Sequence, residues 1–192
     1  MTEPKVIARD SATISEIRPF LHLSGLAPLS SKNLKSFTCV INCVAGLKQV
    51  APSHITVLNI PIEDEEQTDL SPYWKIVFQT IEEQRKSGGK VLIFCGMGIS
   101  RSASFVVAYL MCIEKMTLHD AYKNVQRVRN IICPNVGFFK QMIELEYKLY
   151  NKNTVKIIEP IPGVEVADVV WNELYDEVFN SSDKSSLSSS MD

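Results

Sequence analysis

The stretch KVLIFCGMGISRSASFVVAYLM, residues 90–111, constrains the fold more than any other segment. Its first half, VLIF (91–94), is a continuous apolar run of strand length, as expected of a strand covered on both faces. Its second half, from about Arg101, is apolar nearly all round and reads as a buried central helix. Between them lie Cys95, Gly96, Met97, Gly98, Ile99 and Ser100. A strand that passes through so short a loop into a buried helix commits the chain to a sheet with helices packed on it.

The flanking sequence agrees. Strand-like pieces, β-branched or apolar and bounded by Gly, Pro, Ser or Asn, occur around ISEI, at FLHLSG (20–25), CVINCV (39–44) and ITVLNI (55–60). LSPYWKIVFQTIEEQRKSGG reads as a helix with Ser71 as cap and Pro72 in its first turn. Trp74, Val77, Phe78 and Ile81 share one face, and Gly88-Gly89 stops it. TLHDAYKNVQRV follows, capped by Thr117, with Leu118, Ala121, Tyr122, Val125 and Val128 on one face. NVGFFKQMIELEYKLY begins after Pro134 and turns Phe138, Met142, Leu145 and Leu149 inward. The expected fold is α/β, a mixed central sheet flanked by helices.

At 192 residues the chain predicts one main domain, residues 13–151, behind a flexible N-terminus at 1–12. Beyond it Pro160, Pro162 and Gly163 break the pattern before an apolar stretch at Val169, Trp171, Leu174 and Val178. Residues 152–179 are expected to pack back on the domain or on a partner, and the serine-rich 180–192 to be disordered.

Charge and cysteine usage exclude several classes. A net charge of −2 and a pI near 6.0 argue against generic nucleic-acid or anionic-membrane binding. The N-terminus lacks the apolar core of a signal peptide, and no apolar run is long enough for membrane insertion. The five cysteines show no C-x-x-C spacing and read as free thiols in a reducing compartment. His22, His54 and His119 form no ligand cluster, so neither metal nor cofactor is expected.

A C-x5-R match alone says little, but this one is embedded. Cys95 ends a buried strand, where α/β sheets place ligand-binding groups. Loop amides and a helix N-terminus converge there on one point, an anion site. Gly96 and Gly98 allow conformations that side chains hinder, and Arg101 offers a fork matched to two phosphate oxygens. A cysteine beneath such a cradle is favoured as thiolate, and Ser100 is the expected hydroxyl donor to its sulfur. The chemistry this suits is in-line phosphoryl transfer to sulfur, with an acid for the leaving oxygen and a base for water. IPIEDEEQTDL supplies Glu63, Asp64, Glu65, Glu66 and Asp69 for that role.

With FLHLSG, VINC, LNIPIED, DLSPYW, GGKVLIFCGMGISRSASFVVAYLM, AYKNVQRVR and PNVGFF in this order, residues 14–150 resemble the small atypical dual-specificity protein phosphatases of the cysteine-based tyrosine phosphatase superfamily. NTVKIIEPIPGVEVADV loosely resembles the tail of a subgroup without a kinase-docking domain. The resemblance implies a catalytic set of Cys95 as nucleophile, Arg101 as phosphate clamp, Asp64 as general acid and Ser100 as leaving-thiol assistant. It implies a phosphate-binding loop of Gly96, Met97, Gly98, Ile99, Ser100 and Arg101, and places Asn135 as a helix cap or support. It further implies phosphoprotein substrates, with MAP kinases as the family-level candidates, a monomer or weak homodimer, and a cytoplasmic location with nuclear access that leaves mitochondrial association open.

Two positions depart from the family pattern. Phe94 stands where the family carries a histidine that orders the loop and favours the thiolate, which implies slower turnover. Val128, Arg129 and Asn130 replace the usual R-R-P, a change expected to touch surface contacts more than mechanism. Arg127 and Arg129 are candidates to border the pocket and attract phosphopeptides, with a solvated helix face the commoner reading, and Cys39, Cys43, Cys112 and Cys133 are expected to be core or indifferent. A pseudophosphatase or phosphoprotein-binding scaffold is the alternative function.

Overall fold

The computed structural model describes residues 12–47 and 51–172. The serine-rich tail, Leu174, Val178 and all but residue 12 of the expected flexible N-terminus lie outside the described residues.

The early apolar pieces form strands β1 (Ile14–Arg18), β2 (Leu21–Ser24), β3 (Cys39–Asn42) and β4 (Thr56–Asn59), and VLIF forms β5 (Val91–Phe94). They join in one sheet of order β1-β2-β5-β3-β4. β1 runs antiparallel to β2, and the other pairings are parallel, so the sheet is mixed. β5 is central, with Val91 registered against Leu21 on one side and Cys39 on the other. Its backbone is therefore paired along both edges, which is why a four-residue run suffices.

Helix α1 (Trp74–Lys86) precedes β5, and α2 (Arg101–Ile113), α3 (Leu118–Val128) and α4 (Val136–Tyr150) follow it. Period-two alternation along β5 sorts the core. Val91, Ile93 and then Cys95 join the cluster built with the buried faces of all four helices. Leu92 and Phe94 face the other way, with Val40 of β3, in a second cluster with Leu34, Phe37 and Ile55. β3 alternates likewise, so Cys43, one residue past its end, joins the helix-side cluster with Cys95.

Helix ends follow local chemistry, with one correction. Thr117 Oγ1 accepts from Asp120 N, and Asn135 Oδ1 accepts from Phe138 N. Ser71 is no side-chain cap: it enters a 3-10 turn, Ser71–Tyr73, and Asp69 Oδ1 accepts from its N–H at 2.8 Å. Two faces also differ from expectation. Val128 and Leu149 are exposed, and on α4 the buried position is taken by Glu146, fully excluded from solvent. Its carboxylate accepts from Leu118 N, Thr154 N and Thr154 Oγ1, each at 2.7 Å. Three donors make a buried acid tolerable.

The segment after α4 is a hairpin, β6 (Ile157–Ile161) and β7 (Val164–Ala167), closed by Pro162 and Gly163. It lies against α4, with Ala167 and Val169 in the main core. Among the described residues no helix is long and apolar enough to cross a membrane.

Candidate active site

The loop from β5 to α2 is fastened at five consecutive peptide carbonyls. Gly96 O accepts from Leu26 N (2.9 Å), Met97 O from Arg129 Nη2 (2.9 Å) and Gly98 O from Arg129 Nε (2.7 Å). Ile99 O accepts from Cys133 N (2.9 Å), and Ser100 O from the N–H and hydroxyl of Ser104 (2.9 Å each). The first four bind groups outside the loop and Ser100 O joins the hydrogen-bond ladder of α2, an arrangement that favours amides turned toward the cysteine. Gly98 N donates to Cys95 Sγ at 3.2 Å. That residue has φ +68°, and a Cβ there would collide with the backbone of Ser24 and Gly25. Only glycine closes this loop.

The sulfur's hydroxyl partner is Ser102, not Ser100. Ser102 Oγ donates to Cys95 Sγ at 3.1 Å from the first turn of α2. Ser100 points the other way, its Oγ donating to Asp64 Oδ1 at 2.6 Å. The loop passes into the helix at Ser100, so residues two apart there face opposite sides.

Asp64 is thus brought to the loop, as expected of the acid. Its Oδ1 also accepts from Asn135 Nδ2 at 2.9 Å, and its Oδ2 lies 3.5 Å from Arg101 Nε without hydrogen-bond geometry. Asp64, Glu63, Glu65, Glu66 and Asp69 are all exposed, and the bonds to Ser100 and Asn135 are what set Asp64 apart. The acid loop sits on α4: Gln141 receives Leu70 N and donates to Thr68 O, and a Cβ on Gly137 would overlap the carbonyl of Glu66. Arg101 Nη1 donates to Cys43 O (3.4 Å) and Ile62 O (3.3 Å), long bonds that hold the guanidinium beside the pocket it lines.

Around these groups lies a cavity of about 330 Å³, lined among others by Asp64, Cys95, Arg101, Met97, Cys133 and Asn135. A larger cleft of about 490 Å³ between α4 and the hairpin holds Lys140, Glu144 and Asp168 but no thiol, and the reactive groups converge at the smaller one. Among the described residues no His, Cys, Asp and Glu grouping could hold a metal ion.

The placements of Arg129 and Cys133 differ from the sequence reading, and those of Cys43 and Phe94 sharpen it. Arg129 is no solvated side chain: it is 2% exposed and also donates to Ser15 Oγ at 3.2 Å, buttressing the loop from behind. Cys133 lines the pocket, and its thiol is pushed up by surrounding atoms and then by the Asp64 charge. Cys43 flanks Cys95 and is pushed well up by burial, with the Cys95 charge adding and Arg101 opposing. Phe94 is fully buried in the apolar second cluster.

A loop with its carbonyls turned out and a cysteine beneath its amides, set at the end of a central parallel strand, defines the cysteine-based tyrosine phosphatase superfamily. Comparison narrows that class. A family model described as "Dual specificity phosphatase, catalytic domain" matches residues 20–148, and the chain belongs to that family. Human dual specificity protein phosphatase 14 is 30% identical over 174 residues, covering 88% of this chain and 87% of its own length. A Caenorhabditis elegans protein, ZK757.2, is 53% identical over 192 residues, covering 98% of this chain; the alignment spans 65% of the worm protein. Among solved structures, human DUSP28 matches with TM-score 0.67 at 25% identity, covering 71% of this chain and 94% of its own. The human tyrosine phosphatase-like serine/threonine/tyrosine-interacting protein matches with TM-score 0.63 at 29% identity, covering 72% and 98%.

Proposed function

We propose that the chain is a working dual-specificity protein phosphatase that hydrolyses phosphotyrosine and phosphoserine or phosphothreonine through a cysteinyl-phosphate. The anchoring of the carbonyls from Gly96 to Ser100 carries this reading, because it favours loop amides turned toward Cys95 Sγ, where Gly98 N already donates. In the first step Sγ attacks phosphorus in line, the bond to the leaving oxygen breaks, and Asp64 gives that oxygen its proton. The loop amides and Arg101 hold the equatorial oxygens as charge develops. In the second step Asp64 takes a proton from water, the oxygen attacks phosphorus, and the sulfur–phosphorus bond breaks toward a thiolate that Ser102 Oγ receives. Phosphoproteins, with MAP kinases the family-level candidates, are the substrates, and the enzyme works as a monomer or weak homodimer in the cytoplasm with nuclear access, mitochondrial association being left open.

Phe94 tempers the rate. Its side chain is packed among Leu34, Phe37 and Val40, so it offers the loop no polar group, and turnover falls below that of a histidine-bearing relative. The same feature favours the second reading, a phosphate-reading scaffold, and one structural neighbour's name describes it as phosphatase-like and interacting. Hydrolysis of 4-nitrophenyl phosphate that disappears in Cys95→Ser establishes the enzyme. Absence of turnover together with phosphopeptide binding that requires Arg101 establishes the scaffold.

A further inference from the structure

The hydrogen bonds around Asp64 are asymmetric, and their directions are determined. Asn135 Oδ1 accepts from Phe138 N at 3.0 Å, so the amide's NH2 end is the one that meets Asp64 Oδ1 at 2.9 Å. Ser100 Oγ accepts from Asn135 N at 3.1 Å, so its single hydrogen is the one directed at Asp64 Oδ1, 2.6 Å away. Oδ1 therefore faces two donors at once. A proton placed there would point at other hydrogens or displace one of these bonds. Oδ2 faces Arg101, whose Nε is 3.5 Å off and outside hydrogen-bond geometry.

We propose that Ser100 and Asn135 are positioning residues that make Oδ2 the proton-bearing oxygen of Asp64. This deepens, and rests on, the phosphatase reading above. As sulfur bonds to phosphorus and the phosphorus–oxygen bond breaks, the proton passes from Oδ2 to the leaving oxygen. The carboxylate then formed keeps its two donors on Oδ1, which leaves an Oδ2 lone pair toward the pocket. That lone pair takes the proton of the attacking water as the sulfur–phosphorus bond breaks and the thiolate departs. The same two bonds thus serve both halves of the cycle. Ser100 belongs to the phosphate loop and Asn135 caps α4, so the acid is oriented by the elements that hold the phosphate.

The test compares 4-nitrophenyl phosphate, whose leaving group needs little protonation, with phenyl phosphate, whose leaving group needs much. The variants are Ser100→Ala, Ser100→Thr and Asn135→Asp. The last keeps a carboxylate oxygen for the Phe138 N–H while removing the donor to Asp64. Wild-type turnover that is lost in Cys95→Ser comes first, and its absence overturns the phosphatase reading and this proposal with it. Given turnover, Ser100→Ala and Asn135→Asp should lose about tenfold or more in kcat/KM on phenyl phosphate beyond any loss on the nitrophenyl ester. Ser100→Thr should restore the wild-type ratio, and inhibition by inorganic vanadate should be retained throughout. In an Asp64→Asn background Ser100→Ala should not change the ratio further, because the proton it orients is gone. Equal losses on both esters, losses that track weakened vanadate inhibition, or no loss at all would each leave the phosphatase standing and overturn this assignment.

Discussion

Replacing Arg129 by methionine should weaken the fold and the phosphate site together. The side chain is 2% exposed, and its Nε and Nη2 hold Gly98 O at 2.7 Å and Met97 O at 2.9 Å. Bonds to a charged donor contribute about 1.5–3 kcal/mol each, and methionine refills part of the volume, so the loss is about 3–5 kcal/mol. For a domain of this size each kcal/mol moves Tm by about 2–4 °C, which predicts a drop of roughly 6–20 °C. The two freed carbonyls can then turn inward and take the amides of Gly98 and Ile99 away from the cysteine. Vanadate inhibition should weaken about tenfold or more, since single preorganised donors at such sites are worth at least that. Thermal melts with and without vanadate measure both effects. Arg127→Met, at an exposed neighbour, should stay within about 0.5 kcal/mol of wild type. A variant that melts low yet binds vanadate normally would break the link between the buttress and the loop. One that melts normally would remove the buttress altogether.

Three further outcomes are expected. Ser102→Ala removes the hydroxyl 3.1 Å from Cys95 Sγ and should slow expulsion of the thiolate by about tenfold or more, seen as a larger burst of product before a slower steady state; an unchanged second phase counts against it. Phe94→His should raise kcat/KM while costing about 1–3 kcal/mol, because the imidazole enters the cluster of Leu34, Phe37, Val40, Ile55 and Leu92; paired kinetics and melts test both, and an unchanged rate refutes the role given to Phe94. His22 is held below its ordinary 6.5, first by burial and then by Lys90, against the raising effect of Glu16. The native state therefore binds fewer protons than the unfolded one, so this contribution is fully present above 6.5 and is lost as pH falls below it toward the lowered native value. Urea melts across that range should flatten in His22→Leu, and an identical slope would be the contrary result.

What was legible in the chain was what local pattern controls. β-branched runs bounded by turn residues mark the five strands, and the embedded C-x5-R marks the loop. Contacts between distant segments were not legible. Arg129 follows an amphipathic helix and looks solvated; only the docking of that helix end behind the loop buries it. Glu146 lies inside because Thr154 and the start of α3 supply three donors, and no period of hydrophobicity reports donors. The choice between Ser100 and Ser102 turns on where loop becomes helix, a boundary that spacing leaves undefined by a residue or two. The hairpin did leave a signal, Pro162-Gly163 between IIEPI and VEVA, but Pro160 within the first run argued against a strand.

Gly137 has a consequence for how substrate would arrive. With no side chain there, the backbone of Glu66 rests directly on the first turn of α4, and Gln141 holds Thr68 and Leu70 one turn further on. In such an arrangement the acid does not ride on a lid. Its conformational entropy is given up once, when the domain folds, and not again at each encounter. For the phosphatase proposed above, association with a phosphorylated residue is then expected to be limited by encounter and orientation at a standing pocket, without a closure step between binding and chemistry.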